Sequence, residues 1–437
     1  MLKSKRNATT EYAKRGIRPG EEFQVGRISP DVPLAPVQRV AIFAEAFLPK
    51  VDGVSKTAVL VARHLQQTGR DVLIFAPDND GHTPHFLGPS QVITVPSMSF
   101  PNIPETKMAF PAPMVTAYLD DFQPDLIHLF SPAVLSMAGV LFGKNRRIPV
   151  IANYQTDLPG YSTRYGYTLL SNVVRDGLRV MHNRAHLTLV PSHTIIRQLK
   201  GWGFRRLRLW ARGFDSHRFS PDKRNPEMRR RLLNGKPDDS LLLLYVGRLA
   251  TEKRVDLLRE AARLDGVALA IVGDGSERPY LEDLFRGHAH FTGYLFGEEL
   301  AQAYASADVF TFTGTNETFG QVVMEAMGSG LPVLVPNAGG VVDLVLDGMN
   351  GFICQEDPDD FRNKVQRLRD SPALRERLGR LALEYARSRP WETIMEELES
   401  YYWEAHRLNQ RLVTSAQAAL RLTRSADFDD DEASNIL

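Results

Sequence analysis

The sequence predicts an α/β protein built from two doubly wound, mostly parallel sheets in series. Three observations lead there. Short, nearly uninterrupted apolar runs alternate with amphipathic stretches of helical period, the pattern of strands covered on both faces. This alternation occurs twice, on either side of a polar stretch from Phe214 to Pro237 that carries Pro221, Pro226 and the basic run Arg229–Arg231. The chain, at 437 residues, is also too long for one ordinary core.

Taken in order, residues 1 to 35 are polar and aperiodic and read as a disordered tail. A first domain spans 36–213: Arg39–Ala44 reads as a strand, Val54–Gln67 as a helix and Asp71–Phe75 as a strand. Asp125–Leu129, Pro149–Tyr154 and Leu187–Val190 continue as short apolar runs between helical stretches. A second domain, 214–388, repeats the scheme with strands at Leu241–Val246, Val267–Val272, His290–Thr292, Val309–Phe312 and Pro332–Val335. Beyond Glu356 the pattern is helical, with C-terminal helices over 389–412. Residues 413–437, which contain Asp427-Phe428-Asp429-Asp430-Asp431-Glu432, read as a disordered acidic tail.

Composition narrows the classes of function. With 43% hydrophobic and 24% charged residues and a formal net charge of +1, no global field recruits nucleic acid, and an anionic partner must be met by a local patch. Cys354 is the single cysteine, so no internal disulfide framework exists, which fits a reducing cytoplasm. Residues 1–18 lack an apolar segment and do not read as a signal peptide, and no apolar run is long enough to span a bilayer.

The most specific motif is Gly-Thr-Asn-Glu-Thr-Phe-Gly-Gln-Val-Val-Met-Glu-Ala-Met-Gly-Ser-Gly, residues 314–330. A strand delivers the chain to a polar loop, and a helix begins near Phe319–Gly320. Its free N–H groups and positive end suit an anionic diphosphate, and Gly320 lets a ligand approach the backbone. Glu317 and Glu325 bracket that helix start, about 10 Å apart at a helical rise. This is roughly the span from the hexose of a sugar nucleotide to its ribose; a pair of solvated carboxylates would produce the same pattern.

Arg248 and Lys253 lie in the loop after the first strand of the second domain, at the carboxyl end of the sheet, where doubly wound folds bind ligands. A departing diphosphate needs such cations, although an Arg and a Lys in a loop are often simply solvated. In the first domain, Gly53 stands where helix one begins, so its backbone faces a phosphate or the transferring sugar, or else serves only its own turn. The absence of G-x-G-x-x-G there argues against a dinucleotide-linked dehydrogenase. Asp157 is the best first-domain carboxylate for an acceptor or sugar hydroxyl, and capping the following turn is its alternative role. Asp78-Asn79-Asp80 fits a metal-binding D-x-D string but lies beside Gly81 and Pro84, where turn chemistry explains it better.

Together these residues resemble glycosyltransferase family 4, retaining enzymes of the GT-B fold. Arg248 with Lys253, and Glu317 with Glu325 as an E-x7-E pair, match its donor pattern, and the likeness runs from about Val40 to Arg387. Phe43–Pro49, Tyr154-Gln155-Thr156-Asp157, Trp210-Ala211-Arg212-Gly213-Phe214-Asp215 and Ala303–Phe310 are similar to lipid-directed members, the GDP-mannose-dependent α-mannosyltransferases and the sulfoquinovosyl-diacylglycerol synthases. Where many members have histidine this chain has Gln155, as mannosyltransferase-like sequences often do.

The resemblance implies a nucleotide-diphosphate-sugar donor held in the second domain by Arg248, Lys253, Glu317, Phe319, Gly320 and Glu325, with Gly53 facing it from the first domain. Arg248, Lys253 and Glu317 would carry catalysis, and Gln155 and Asp157 would lie near the acceptor. It implies transfer of a hexose, mannose from GDP-mannose for preference, to a membrane glycerolipid or glycolipid without cofactor or essential metal. The protein would be cytoplasmic and peripheral on an anionic membrane surface. A basic amphipathic stretch between Arg164 and His186 offers a contact element, or an ordinary helix packed on its sheet. UDP-sugar transfer to diacylglycerol, sugar-nucleotide epimerisation and non-catalytic sugar-nucleotide binding are the alternatives.

Overall fold

The structure, a computed structural model, describes residues 23–50, 52–100, 103–110, 113–130, 132–160 and 168–433. In the first domain the strands are β1 (Arg39–Ala44), β2 (Asp71–Pro77), β3 (Phe86–Leu87), β4 (Ser90–Val95), β5 (Ser97–Phe100), β6 (Ile103–Ala109), β7 (Leu126–Phe130), β8 (Val150–Asn153), β9 (Leu187–Val190) and β10 (Leu207–Leu209). Its main sheet has the order β10-β9-β8-β7-β1-β2-β4-β3, with β5 and β6 forming a separate hairpin. The second domain adds β11 (Leu241–Val246), β12 (Val267–Val272), β13 (Ala289–Gly293), β14 (Val309–Thr311), β15 (Val333–Pro336) and β16 (Gly351–Cys354), ordered β13-β12-β11-β14-β15-β16. Every pairing in that second sheet is parallel.

The central strands are buried along their whole length because both faces carry helices: all six residues of β11 and of β12 are buried. In each sheet the chain runs outward one way and then returns to extend the other. Strand order therefore reverses between β1 and β7 in the first sheet and between β11 and β14 in the second. Crevices at such switch points lie beyond the carboxyl ends of the strands. The helix Gly53–Gln67 begins there in the first domain, fixed by a capping box in which Asp52 accepts from Val54 N and Ser55 N.

Both predicted tails need correction over their described parts; residues 1–22 and 434–437 lie outside the described residues. Residues 23–35 are not loose: Phe23, Val25 and Ala35 are buried in the first domain's core. Their partner is the C-terminal helix Trp391–Ala433, which leaves the second domain and returns to the first. Trp391, Ile394, Met395, Leu398, Tyr402 and Ala405 recur at helical spacing and join the same core. The helix also continues through the segment expected to be a disordered acidic tail, ending at Ala433, because residues 413–433 contain neither glycine nor proline.

A buried polar cluster ties the returning helix down. Glu399 accepts from Arg70 Nη1 and Nη2 at 2.5 and 2.8 Å, lies 2.7 Å from His64 Nε2, and accepts the Ala35 N–H at 3.0 Å. A few residues along, Tyr402 Oη is 2.9 Å from His128 Nδ1, whose Nε2 is 3.0 Å from Asn153 Oδ1. Burial pushes the His128 imidazole down to about 4, so it bridges the two as a neutral ring.

Candidate functional site

Four loops at strand carboxyl ends meet across the interdomain cleft. β1 leads to the loop before Gly53 and β8 to Tyr154–Asp157; opposite them, β11 leads to Gly247–Lys253 and β14 to Gly314–Glu317. The domains touch where Thr318 Oγ1 donates to the Gln155 carbonyl at 2.8 Å and where Thr194 meets Asp343 through two 2.8 Å hydrogen bonds.

Lys253 ends a short 3₁₀ turn, Thr251–Lys253, and its Nζ pairs with Glu317 Oε1. The pair is held from below: Thr313 Oγ1 donates to the Lys253 carbonyl at 2.6 Å, and the Lys253 ammonium lies 5.7 Å from the Phe312 ring centroid. Burial alone would raise the Glu317 carboxyl, but Lys253, Arg212 and Arg248 outweigh it and hold the group below the usual carboxylate range. Arg248 shares this field while its guanidinium pairs with the buried Glu252 carboxylate.

Glu325 is in the cleft but with other partners. Lys56, from the first-domain helix, reaches across to it at 3.2 Å, and Tyr304 Oη donates to its second oxygen at 3.3 Å. Lys56 was invisible to sequence reading because a lysine on an amphipathic helix looks like solvated surface.

Gly320 is the N-cap of the helix Gln321–Gly328 at φ +94°, and among the described residues no side chain caps that end, which leaves its leading N–H groups without a capping side chain there. A β-carbon there would come within 2.5 Å of Val341 Cγ1, so both backbone and packing require glycine. Phe319 is a core side chain, 2% exposed, and offers a ligand only its backbone.

Gly53 was expected to turn its backbone to a phosphate or the transferring sugar; the N–H groups that follow it, of Val54 and Ser55, are both taken by Asp52 at 2.9 Å. What Gly53 provides instead is space: a β-carbon on it would sit 2.4 Å from Arg212 Nη1. Asp157 caps its turn, accepting from Gly160 N at 3.2 Å, and also from Tyr154 Oη at 3.3 Å; burial raises its carboxyl. Gln155 is 7% exposed, and its buried Oε1 has no hydrogen-bond partner among the described residues. Asp78–Asp80 is a turn: Asp78 accepts from Gly81 N at 2.9 Å and Asp80, at φ 54°, pairs with Lys107 at 2.7 Å. Among the described residues no group of three or more His, Cys, Asp or Glu is arranged to hold a metal.

The expected membrane element behaves as an ordinary helix on the side that is described. Within Thr168–His182, Leu178 and Met181 are buried, and Val174 packs on the cluster that holds Leu178. Val173 and Val180 alone among the described aliphatic residues of that helix face outward, beside Arg175 and Arg179, which share Asp176 at 3.4 and 3.5 Å. Arg164 and Tyr167, and the side chains of Leu169 and Leu170, lie outside the described residues.

Two doubly wound domains facing one another, with an Arg–Lys–Glu–Glu set at the second domain's switch point, define a GT-B transferase. The model described as Glycosyltransferase Family 4 matches residues 51–218, and that described as Glycosyl transferases group 1 matches 229–385. The chain is 40% identical over 371 residues to a GDP-mannose-dependent alpha-mannosyltransferase of Mycobacterium tuberculosis, covering 83% of this chain and 96% of that one. It is 34% identical to the sulfoquinovosyl transferase SQD2 of Arabidopsis thaliana over 85% of this chain and 74% of that one. Among solved structures, sucrose-phosphate synthase of Thermosynechococcus elongatus superposes with a TM-score of 0.68 at 22% identity, over 87% of this chain and all of that one. The chain belongs to glycosyltransferase family 4 and is a hexosyltransferase.

Proposed function

We propose that the protein transfers mannose from GDP-mannose to a membrane glycerolipid or glycolipid, with retention at the anomeric carbon. The observation that carries the donor site is the convergence of Lys253, Glu317, Arg248 and Glu325 on one side of the cleft. The mannosyl donor is supported by the relative 40% identical to this chain. The lipid acceptor is supported by the likeness to lipid-directed members through Tyr154–Asp157 and Arg212–Asp215.

In this reading Glu317 fixes the sugar hydroxyls, Glu325 the ribose, and Lys253 and Arg248 neutralise the diphosphate as the bond from C1 to its oxygen breaks. The acceptor oxygen attacks C1 on the same face, and its proton passes to the departing phosphate oxygen, so no side-chain base is needed. The cations do the work a metal ion does elsewhere. Purified protein given labelled GDP-mannose, UDP-glucose and UDP-galactose with a lipid extract should yield labelled lipid from GDP-mannose, undiminished by EDTA. Label only in water-soluble product rules out the lipid acceptor. Loss in EDTA with specific rescue by magnesium or manganese rules out the metal-free mechanism.

Membrane contact is assigned to a different face from the helix Thr168–His182. Met114 and Tyr118 on the helix Pro113–Phe122 are partly exposed, as is Leu141 on Ser136–Arg146, and the two helices are tied by Arg146 and Asp120 at 2.5 Å. Exposed Lys144, Arg146 and Arg147 flank them. Such a patch seats apolar groups at the acyl boundary while each cation contributes about 1 kcal/mol toward anionic headgroups. Salt-sensitive binding to anionic vesicles is expected, weakened when Lys144 and Arg147 are replaced by glutamate. Equal binding to neutral and anionic vesicles contradicts it.

A further inference from the structure

Arg212 stands in the segment that leaves β10 for the second domain, and only 6% of the residue is exposed. Its Nη1 occupies the space in front of Gly53. The charges that favour its ionised form against burial are Glu317, from the second domain, and Asp52, from the first. Both are engaged elsewhere. Glu317 pairs with Lys253, and Asp52 caps the helix Gly53–Gln67 through Oδ1 while its Oδ2 lies 3.5 Å from Lys50. Arg212 Nε is fully buried and has no hydrogen-bond partner among the described residues.

A buried guanidinium with an idle N–H is costly, and such groups persist where a ligand completes them. The missing partner must be an anion with several oxygens, reachable from both walls of the cleft, because the two nearby carboxylates are already spoken for. A terminal phosphate fits: the guanidinium fork meets its oxygens two at a time, with Lys253 on the far side.

We propose that Arg212 binds the β-phosphate of a nucleoside diphosphate, as a third cation supplied by the interdomain crossing rather than by the donor domain. The inference rests on the sugar-nucleotide reading above. Glycine at 53 then has a reason beyond its turn, since a methyl group there displaces the guanidinium.

Calorimetric titration of the full chain with GDP and with GMP tests this. Arg212→Met should weaken GDP binding by roughly 10- to 100-fold and leave GMP within about twofold, so that the preference for the diphosphate collapses; Arg212→Lys should keep part of it. Gly53→Ala leaves every charge in place and should lower the same preference, which covers the case in which Arg212→Met does not fold. A merely structural Arg212 lowers both affinities together or neither, and overturns the proposal. If Lys253→Ala loses GDP while Arg212→Met and Gly53→Ala keep it, the donor site stands and Arg212 is no part of it. A wild-type chain that binds GDP no better than GMP sinks the site and the inference together.

Discussion

Lys253→Ala is expected to slow transfer by about 30-fold to 10³-fold, the loss of about 2–4 kcal/mol of charge stabilisation on the leaving diphosphate. The change also strips Glu317 of its ion-pair partner while leaving it buried. Its carboxyl then rises, because burial is opposed only by Arg212 and Arg248. The acid limb of the pH–rate profile should therefore move to higher pH in the variant. Glu317→Gln, which keeps the shape and removes the charge, should lose rate without that displacement. A folded Lys253→Ala protein transferring sugar at the wild-type rate would remove Lys253 from the mechanism.

The largest expected effect on stability lies outside the cleft, at Glu399. Burial works against this carboxylate, but hydrogen bonds from Arg70 and His64 hold it at about 2. Glu399→Ala leaves Arg70 buried without its counter-charge and should cost about 3–5 kcal/mol, read as a fall in the denaturation midpoint. A depressed carboxyl stabilises the fold above its unfolded value, near 4.5, and loses that contribution as pH falls toward 2. The gap between wild type and variant should therefore be widest above pH 4.5 and narrow below it. A gap unchanged down to pH 2 would mean that packing, not charge, makes the contribution.

Both sheets were legible because their strands are buried on two faces and need no partner to be recognised. Arg39–Ala44, Leu187–Val190, Leu241–Val246 and Val267–Val272 coincide with β1, β9, β11 and β12. β4, the hairpin β5–β6 and the short β3, β10 and β16 were missed: two to seven residues with little alternation carry little pattern. The burial of Phe23 and Val25 was illegible for a different reason. Their cover comes from a helix more than 360 residues away, as the bond from Ser29 N to Glu396 shows, and no local window contains both halves.

The site divides the same way. Lys253 and Glu317 were found because each sits just past a readable strand, and the fold brings strand ends together. Arg212 and Lys56 depend on how two domains face each other, which no spacing within either domain encodes. One signal for Arg212 was present: it heads the Arg212-Gly213-Phe214-Asp215 motif, which was read as a family likeness and not as a ligand contact.

The return of the last helix makes the second domain an insertion with two covalent crossings side by side. Phe214 bridges Pro390, its N–H bonds to Arg389 O at 3.2 Å, and a β-carbon on Gly213 would lie 2.8 Å from Trp391 Cα. A single tether lets one body swivel in any direction, whereas two tethers pressed together act like adjacent pins on a door. Twisting shears one pin past the other and breaks their contact; only swinging about their common line leaves it intact. Opening of the cleft is thereby confined to an arc, and each return along that arc brings the same faces of the two lobes back into register.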